Sequence, residues 1–380
     1  MAASDRALNL DDLRRLARRR LPAILYDYIA GGADDGCCPS RNEAAFAARQ
    51  LVPRYGGEIT PRDTSVMLFG RRWAAPFGIA PTGMADLIRP GADLMMARAA
   101  AAANVPFVLS GVSNATIEDV AAAAPSSWVQ LYASRDSAVT FDMVDRARRA
   151  GIATLVLTMD VPLHANRERD IRNGFVRPYR PSRRAAAEAL LHPAWLTGYL
   201  RHGVPPLANW VPYVAPATSA HDVAEAVAKL HPCAWTWPLV EAVRARFSGA
   251  LLVKGILAPQ DALRAVAAGI DGIIVSNHGG RQLDRSITSL DAFPAIHAAV
   301  GDRVTLMLDS GIRRGSDVVA ALCLDAKFTF IGRPTLYAVA AGGQAGASRA
   351  IQMLRREIDL VMAQIGCRSI EHATKNFLPP

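Results

Sequence analysis

Residues 271–284, DGIIVSNHGGRQLD, run from an unbroken apolar stretch straight into a histidine, two glycines and an arginine. Gly272–Val275 lacks the polar alternation of a half-exposed strand, so it reads as a strand covered on both faces, the mark of a parallel sheet. Seven other stretches repeat the design: FGIAPTG (77–83), FVLSG (107–111), WVQLY (128–132), TLVLTMD (154–160), LLVKG (251–255), TLMLDSG (305–311) and FTFIG (328–332). Most end in small or polar residues and lead into Ala-rich helical patterns such as GADLMMARAAAAANV (91–105), TIEDVAAAA (116–124), APQDALRAVAAG (258–269) and RGSDVVAALCLDA (314–326). Eight such units predict an α/β protein built as a closed (β/α)₈ TIM barrel. A doubly wound open sheet is the rival, but no G-x-G-x-x-G follows the first strand.

The 380 residues are read as a single barrel domain, 1–380, with two segments outside the repeat. Residues 1–75 form an N-terminal extension, beginning with the amphipathic stretch LDDLRRLARRRLPAILYDYIAGGADD (10–35). The second segment is an insertion after the fourth strand, 171–234, within a connection much longer than a usual βα loop.

A content of 51% hydrophobic and 20% charged residues, with no long uncharged apolar run and no signal-peptide pattern, predicts a soluble globular protein. Five cysteines (37, 38, 233, 323 and 367) are odd in number and lack zinc-site spacing, so they are read as reduced thiols of a cytoplasmic protein without a metal site. The net charge of +9 invites a nucleic-acid reading, but the positive charge gathers in the insertion and no recognisable nucleic-acid module accompanies it.

In such a barrel the functional site is built at the C-terminal strand ends. Those ends carry Pro81-Thr82-Gly83, Ser110, Gln130 with Tyr132, Thr158 with Asp160, Lys254, Ser276 with His278, Asp309 with Arg313, and Gly332-Arg333. Each has a plainer explanation alone: Asp309 and Ser310 could cap the next helix, Thr158 could satisfy a loop amide, and Asp160 could be an ordinary barrel-mouth acid. Lys254 supplies a fixed charge or a Schiff-base amine. DSGIRRG (309–315) and IGRP (331–334) place glycines, backbone amides and arginines at helix starts, which suits a phosphate and implies a phosphorylated cofactor or substrate.

Together these residues resemble the flavin mononucleotide (FMN)-dependent L-2-hydroxy acid oxidase and dehydrogenase family, for which SNHGGRQLD is the active-site signature. The resemblance runs in order through LPAILYDYIAGGADD, APTGM, LSG, QLY, LTMDVP, RERDIRNGF, LLVKGI, DSGIRRG and IGRPTLY. It implies that Pro81, Thr82, Gly83, Ser110, Gln130, Thr158, Lys254 and Ser276 line the flavin. Asp309, Ser310, Gly311, Arg313, Gly332 and Arg333 would hold its ribityl chain and phosphate. Tyr28, Tyr132, Arg167 and Arg281 would bind the substrate, with Arg281 and Arg167 on its carboxylate, and His278 would be the base, supported by Asp160. A non-catalytic flavin-binding barrel would be expected to lose His278 or Arg281, and both are present.

Gly83, in place of alanine, and Val112, in place of a tryptophan, resemble the dehydrogenases that act on bulky substrates. The second half resembles the (S)-mandelate dehydrogenase branch, which implies oxidation of (S)-mandelate or a related aromatic 2-hydroxy acid to the 2-oxo acid, with a quinone or other electron acceptor. An L-lactate dehydrogenase, or an oxidase yielding hydrogen peroxide, is the alternative. PLHAN (162–166) departs from the family pattern.

From Arg167 to Arg201, running into the insertion, the chain carries eight arginines (167, 169, 172, 177, 180, 183, 184 and 201) interleaved with Leu190, Leu191, Trp195, Leu196, Tyr199 and Leu200. That pattern suits peripheral attachment to the inner face of an anionic membrane, with a solvated lid or a partner-facing loop as the alternative. The family resemblance also implies a homotetramer.

Overall fold

The computed structural model describes residues 3–175, 183–214 and 219–379. Arg177 and Arg180 of the basic segment lie outside the described residues. A short hairpin, β1 (Val66–Leu68) and β2 (Arg71–Trp73), precedes eight parallel strands. These are β3 (Phe77–Ile79), β4 (Val108–Leu109), β5 (Trp128–Leu131), β6 (Thr154–Thr158), β7 (Ala250–Ile256), β8 (Gly272–Val275), β9 (Thr305–Leu308) and β10 (Phe328–Ile331). Their order is β3-β10-β9-β8-β7-β6-β5-β4, and a parallel bridge between Ile79 and Phe107 brings β4 back to β3. All eight predicted apolar stretches are barrel strands.

Three helices, α1 (Leu10–Arg20), α2 (Ala23–Ala30) and α3 (Cys37–Ala47), form the N-terminal extension. The ring begins with α4 (Ala92–Ala102), α5 (Ile117–Ala123) and α6 (Ser137–Arg149). The insertion supplies α7 (Glu168–Arg172), α8 (Arg183–Ala189), α9 (Pro193–His202) and α10 (Ala220–Leu230), and the ring resumes with α11 (Trp237–Arg246). It ends with α12 (Pro259–Ala267), α13 (Ser289–Val300), α14 (Gly315–Cys323) and α15 (Arg333–Ile365). Several helices start where a side chain caps the first turn: Asn9, Thr116, Asp136, Thr236 and Thr288 each accept a backbone N–H two or three residues on. Ser219 and Asp222 form a reciprocal capping box on α10.

Two apolar layers account for the continuous hydrophobicity of the strands. Val108, Trp128, Val156, Leu252, Ile274, Met307, Phe328 and Phe330 fill the barrel interior, while Leu155, Leu157, Val253, Ile273 and Leu308 pack outward against the helices. Leu68 and Trp73 of the hairpin join the inner cluster, and Phe69 meets Trp128 edge-on at 5.8 Å. At Gly272 a β-carbon would lie within 3.0 Å of Met307, Phe69 and Leu252, so the first residue of β8 makes room for the hairpin. With that end packed by aromatics, polar chemistry gathers at the C-terminal strand ends.

The six apolar residues of the basic segment, read as suited to membrane attachment, are divided between the core and the surface. Trp195 is buried and donates its indole N–H to Leu87 O at 2.8 Å, and Leu196 and Tyr199 pack on the core, because the barrel rim covers that side of α9. Only Leu190, Leu191 and Leu200 are exposed, at 69%, 76% and 73%.

The loop after β4 is held from outside by a buried carboxylate. Asp93 accepts the backbone N–H groups of Asn114 and Ala115 at 3.0 and 3.4 Å, and Asp86 accepts the N–H of Asp93 at 3.2 Å. Burial, reinforced by Asp86, pushes the Asp93 carboxyl up to about 7. Asn114 in turn donates to Pro206 O at 2.8 Å, tying the loop to the insertion. Asp93→Ala strands two N–H groups in the interior and is expected to lower stability by about 2–3 kcal/mol. An unchanged urea unfolding midpoint would show that the carboxylate does not hold this loop.

Candidate active site

The turn behind β8 explains its composition. His278, Gly279 and Gly280 take φ values of 58°, 65° and 74°, three successive residues in the left-handed region. A β-carbon on Gly279 would sit 2.5 Å from Arg333 Nη1, and one on Gly280 would sit 2.7 Å from Pro39 Cδ. Both glycines are therefore required by conformation and by space. The turn is pinned by Asn277, whose buried amide pairs reciprocally with that of Asn42 on α3 at 2.9 and 2.7 Å, and whose Oδ1 also accepts the N–H of Gly280 at 3.2 Å.

This conformation aims His278 at Asp160, with Nδ1 2.9 Å from the carboxylate Oδ1. An ionised carboxylate only accepts, so Nδ1 carries the proton and Nε2 is left as a basic lone pair. Burial, opposed by Asp160 and aided by Lys254, holds the imidazole below its ordinary pKa. At Asp160 burial acts in the opposite sense, but His278 and Lys254 overcome it and keep the carboxyl below its usual range. The pair is thus a neutral histidine beside a carboxylate. Gly255 makes the approach possible: its φ is 99°, it sits at an irregularity in the β7–β8 register, and a β-carbon there would lie 2.5 Å from Asp160 Cγ.

Arg281 follows the turn. Its guanidinium donates to Tyr28 O at 2.5 Å and to Gly31 O at 3.3 Å, and lies 4.8 Å from the centre of the Tyr28 ring. Arg167 donates to Arg281 O at 3.3 Å and to Gln282 Oε1 at 3.1 Å. Burial, with Arg281 nearby, lowers Arg167 to about 10. Neither guanidinium makes an ion pair among the described residues, so both can still take an anion. The Tyr28 hydroxyl donates to Gly83 O at 3.0 Å, and Phe175 covers the Tyr28 ring at 4.6 Å. Burial of its hydroxyl end pushes the half-buried Tyr132 phenol well up, which keeps it a protonated donor.

Tyr28, Tyr132, Arg167, Phe175, His278 and Arg281 face one cavity of about 500 Å³, also lined by Pro81, Thr82, Gly83, Lys254, Asp309, Ser310, Gly311, Arg313, Gly332 and Arg333, whereas Asp160 backs His278 from outside that lining. Ser110, Gln130, Thr158 and Ser276 are buried at adjoining strand ends but are not among its lining residues.

The donor set fits FMN. Gln130 Nε2, Thr158 Oγ1 and Thr82 Oγ1 are buried with no partner among the described residues. Lys254 is buried against Ser276 Oγ at 2.9 Å and Asp309 Oδ2 at 3.3 Å, an ion pair that makes it a fixed charge. Among the described residues Arg333 is bonded only to the carbonyls of Ile29 and Gly31, and burial beside Arg281 and Arg313 lowers it to about 9. A cation crowded by cations and open to the cavity suits a phosphate. Arg313, expected on the same group, is paired with Glu43 at 2.8 Å.

Several contributors carry no chemical signature of their own. Gly255 reads as a strand end, Asn42 as a helix residue, and Gln282, which donates to Asp160 O at 3.1 Å, as part of the signature motif. Only their contacts reveal them.

Asp160 raises the His278 pKa through its charge, so Asp160→Asn is expected to shift the imidazole further down. A histidine ¹⁵N titration that leaves the inflection in place, or moves it up, would contradict the ion-pair geometry.

A family model described as FMN-dependent dehydrogenase matches residues 17–380. (S)-Mandelate dehydrogenase of Pseudomonas putida is 38% identical over 377 residues, covering 99% of this chain and 94% of that protein. L-Lactate dehydrogenase of Caulobacter vibrioides is 40% identical over 369 residues, covering 97% and 96%. A crystal structure of the monotopic membrane protein (S)-mandelate dehydrogenase matches the fold with a TM-score of 0.94 at 38% identity, over 98% of this chain and 99% of that one. With likeness over essentially its whole length, the chain belongs to the FMN-dependent dehydrogenase family and is an FMN-dependent oxidoreductase of 2-hydroxy acids.

Proposed function

We propose that the protein oxidises (S)-mandelate or a closely related aryl 2-hydroxy acid to the 2-oxo acid and passes the electrons to a membrane quinone. The observation that carries the reading is the convergence on one cavity of a neutral histidine backed by a carboxylate and of two arginines that make no ion pair among the described residues, beside a wide apolar wall. Arg281 and Arg167 hold the substrate carboxylate by charge-assisted hydrogen bonds, which fixes the carbinol carbon in the site. Tyr132 donates to the substrate oxygen. The Tyr28 hydroxyl reaches the carboxylate once its O–H turns away from Gly83 O.

Bound FMN supplies the two-electron acceptor. His278 Nε2 takes a proton as the carbinol becomes a carbonyl, and Asp160 stabilises the imidazolium that results. Lys254 and Ser276, with Gln130, Thr158, Ser110, Pro81, Thr82 and Gly83, form the flavin side of the site, while Asp309, Ser310, Gly311, Arg313, Gly332 and Arg333 form its phosphate end. The base must be neutral, so kcat/KM falls as pH drops through the His278 pKa, which lies below the ordinary imidazole value.

Support for a bulky substrate comes from the side-chain wall. Val112, Val161, Leu207 and Trp195 line it, and a methyl group on Gly83 would come within 2.6 Å of Val112 Cγ2. Glycine at 83 thus leaves Val112 seated on the wall rather than pushed into the cavity. Mixing the oxidised holoenzyme with (S)-mandelate without oxygen is expected to bleach the flavin faster than L-lactate does. On admitting air, colour is expected to return slowly. Rapid return would make the protein an oxidase, and faster bleaching by lactate would overturn the substrate assignment.

We further infer peripheral attachment to an anionic bilayer through the exposed leucines of α9 and its N-terminal approach. No helix among the described residues is long and apolar enough to cross a membrane. Replacing Leu190, Leu191 and Leu200 together by glutamine is expected to release the protein from vesicles containing phosphatidylglycerol. Equal co-sedimentation of the two forms would rule this surface out.

A further inference from the structure

We propose that Asn209 is a positioning residue for the side-chain wall of the cavity. By joining the insertion to the loop after β4 it fixes the space in which the aryl ring lies, and so sets the preference for a bulky over a small 2-hydroxy acid. This rests on the aryl substrate proposed above. Two segments far apart in the chain build that part of the wall: Val112 and Asn114 from the loop after β4, and Val204, Pro205 and Leu207 from the insertion. None of the five belongs to a strand or a helix, so no backbone ladder holds them and the seam between the segments has to be closed by other bonds.

Asn209 closes it. The residue lies in a short 3-10 helix, Ala208–Tyr213, and is 1% exposed. Its Nδ2 donates to Ala115 O at 3.1 Å and to Ser113 Oγ at 3.2 Å, while Oδ1 accepts the N–H of Ile117 at 2.9 Å and Arg146 Nη2 at 3.3 Å. Two donors and two lone pairs are all that an amide has, so its orientation is fully determined. The Ile117 N–H is one of those at the start of α5 that have no partner within the helix, so a side chain of the insertion satisfies the end of a ring helix. The neighbours of Asn209 cross the same seam: the Ala208 N–H donates to Ser113 O at 3.2 Å and the Trp210 indole to Gly111 O at 2.8 Å. From behind, Arg146 of α6 donates to Asn209 O at 3.0 Å and holds Glu118 through two bonds of 2.9 and 2.8 Å. Val112 and Leu207 are therefore held at a fixed separation. The carboxylate end of the cavity shares none of these bonds, since Arg281 is held by Tyr28 O and Gly31 O, and Arg167 by Arg281 O and Gln282. Loosening the seam thus alters the room for a ring and leaves a methyl group beside the carbinol carbon untouched.

The test measures kcat/KM for (S)-mandelate and L-lactate, with a dye as acceptor, in the wild-type holoenzyme and in Asn209→Ala and Arg146→Lys. A parallel titration takes Kd for the matching 2-oxo acids, benzoylformate and pyruvate, from the change in flavin absorbance. General loss of folded protein, read from flavin content, lowers both substrates alike and leaves their ratio where it was. In Asn209→Ala the ratio of mandelate to lactate is expected to fall about tenfold, through KM rather than kcat, because the seam loses bonds whose buried partners stay unpaired. The Kd for benzoylformate is expected to rise by a similar factor while that for pyruvate holds. Arg146→Lys keeps the charge but loses the guanidinium fork, and is expected to move the ratio in the same direction by less. A ratio unmoved in Asn209→Ala overturns the proposal, as does one unmoved in Arg146→Lys should Asn209→Ala fail to retain flavin. A wild type whose flavin (S)-mandelate does not reduce overturns the aryl reading and this proposal with it, whereas a mandelate-reducible wild type with unmoved ratios overturns only the role of Asn209.

Discussion

The site depends on a backbone constraint: three successive residues, His278 to Gly280, held in the left-handed region. That conformation is costly for histidine and persists only where the surroundings over-determine it. Here the reciprocal Asn277–Asn42 amide pair, the bond from Gly279 N–H to Ser310 Oγ and the packing of Gly280 on Pro39 all hold the turn. From it follow the direction of His278 toward Asp160, the emergence of Arg281 beside Tyr28, and the space that Arg333 occupies. The N-terminal extension is thus part of the site, since α3 anchors the turn and α2 brings Tyr28 to it.

Electrostatics then divide the cavity. Arg281, Arg167 and Arg333 are short of carboxylate partners among the described residues, whereas Lys254 is neutralised by Asp309 and His278 is kept uncharged by burial despite Asp160. Unpaired buried guanidinium groups are unfavourable in isolation, and burial lowers both Arg167 and Arg333. Cationic capacity is thereby kept where the proposed carboxylate and phosphate would bind, and basic capacity where the proposed proton transfer would take place. Burial that weakens the imidazole as a base is offset by the carboxylate that steadies its charged form.

Much of this was legible in the chain because barrel chemistry is ordered along it. Continuous apolar strands recur with helices between them, and polar residues cluster at one end of each strand, so His278, Asp160, Arg281 and Lys254 could be named together. Contributions made by shape were hidden. Gly255 matters through a β-carbon it lacks, Asn42 through a partner more than two hundred residues away, and Asp93 through two amides it holds. The division of the insertion's apolar residues between the core and the surface was hidden as well, because periodicity does not say which side of a surface helix a barrel rim will cover.

The sequence by itself determined the strand count, the closed barrel, and the kinds of group at its mouth, because each is a local pattern of hydrophobicity and residue type. Only the tertiary structure decided which groups touch: that Asp160 faces Nδ1 of His278, that Arg313 is taken by Glu43 while Arg333 has no carboxylate partner among the described residues, and that His231 lies against Tyr132. Those facts rest on packing between elements far apart in the chain, where distances of a few ångströms set charge and direction, and no local pattern encodes them.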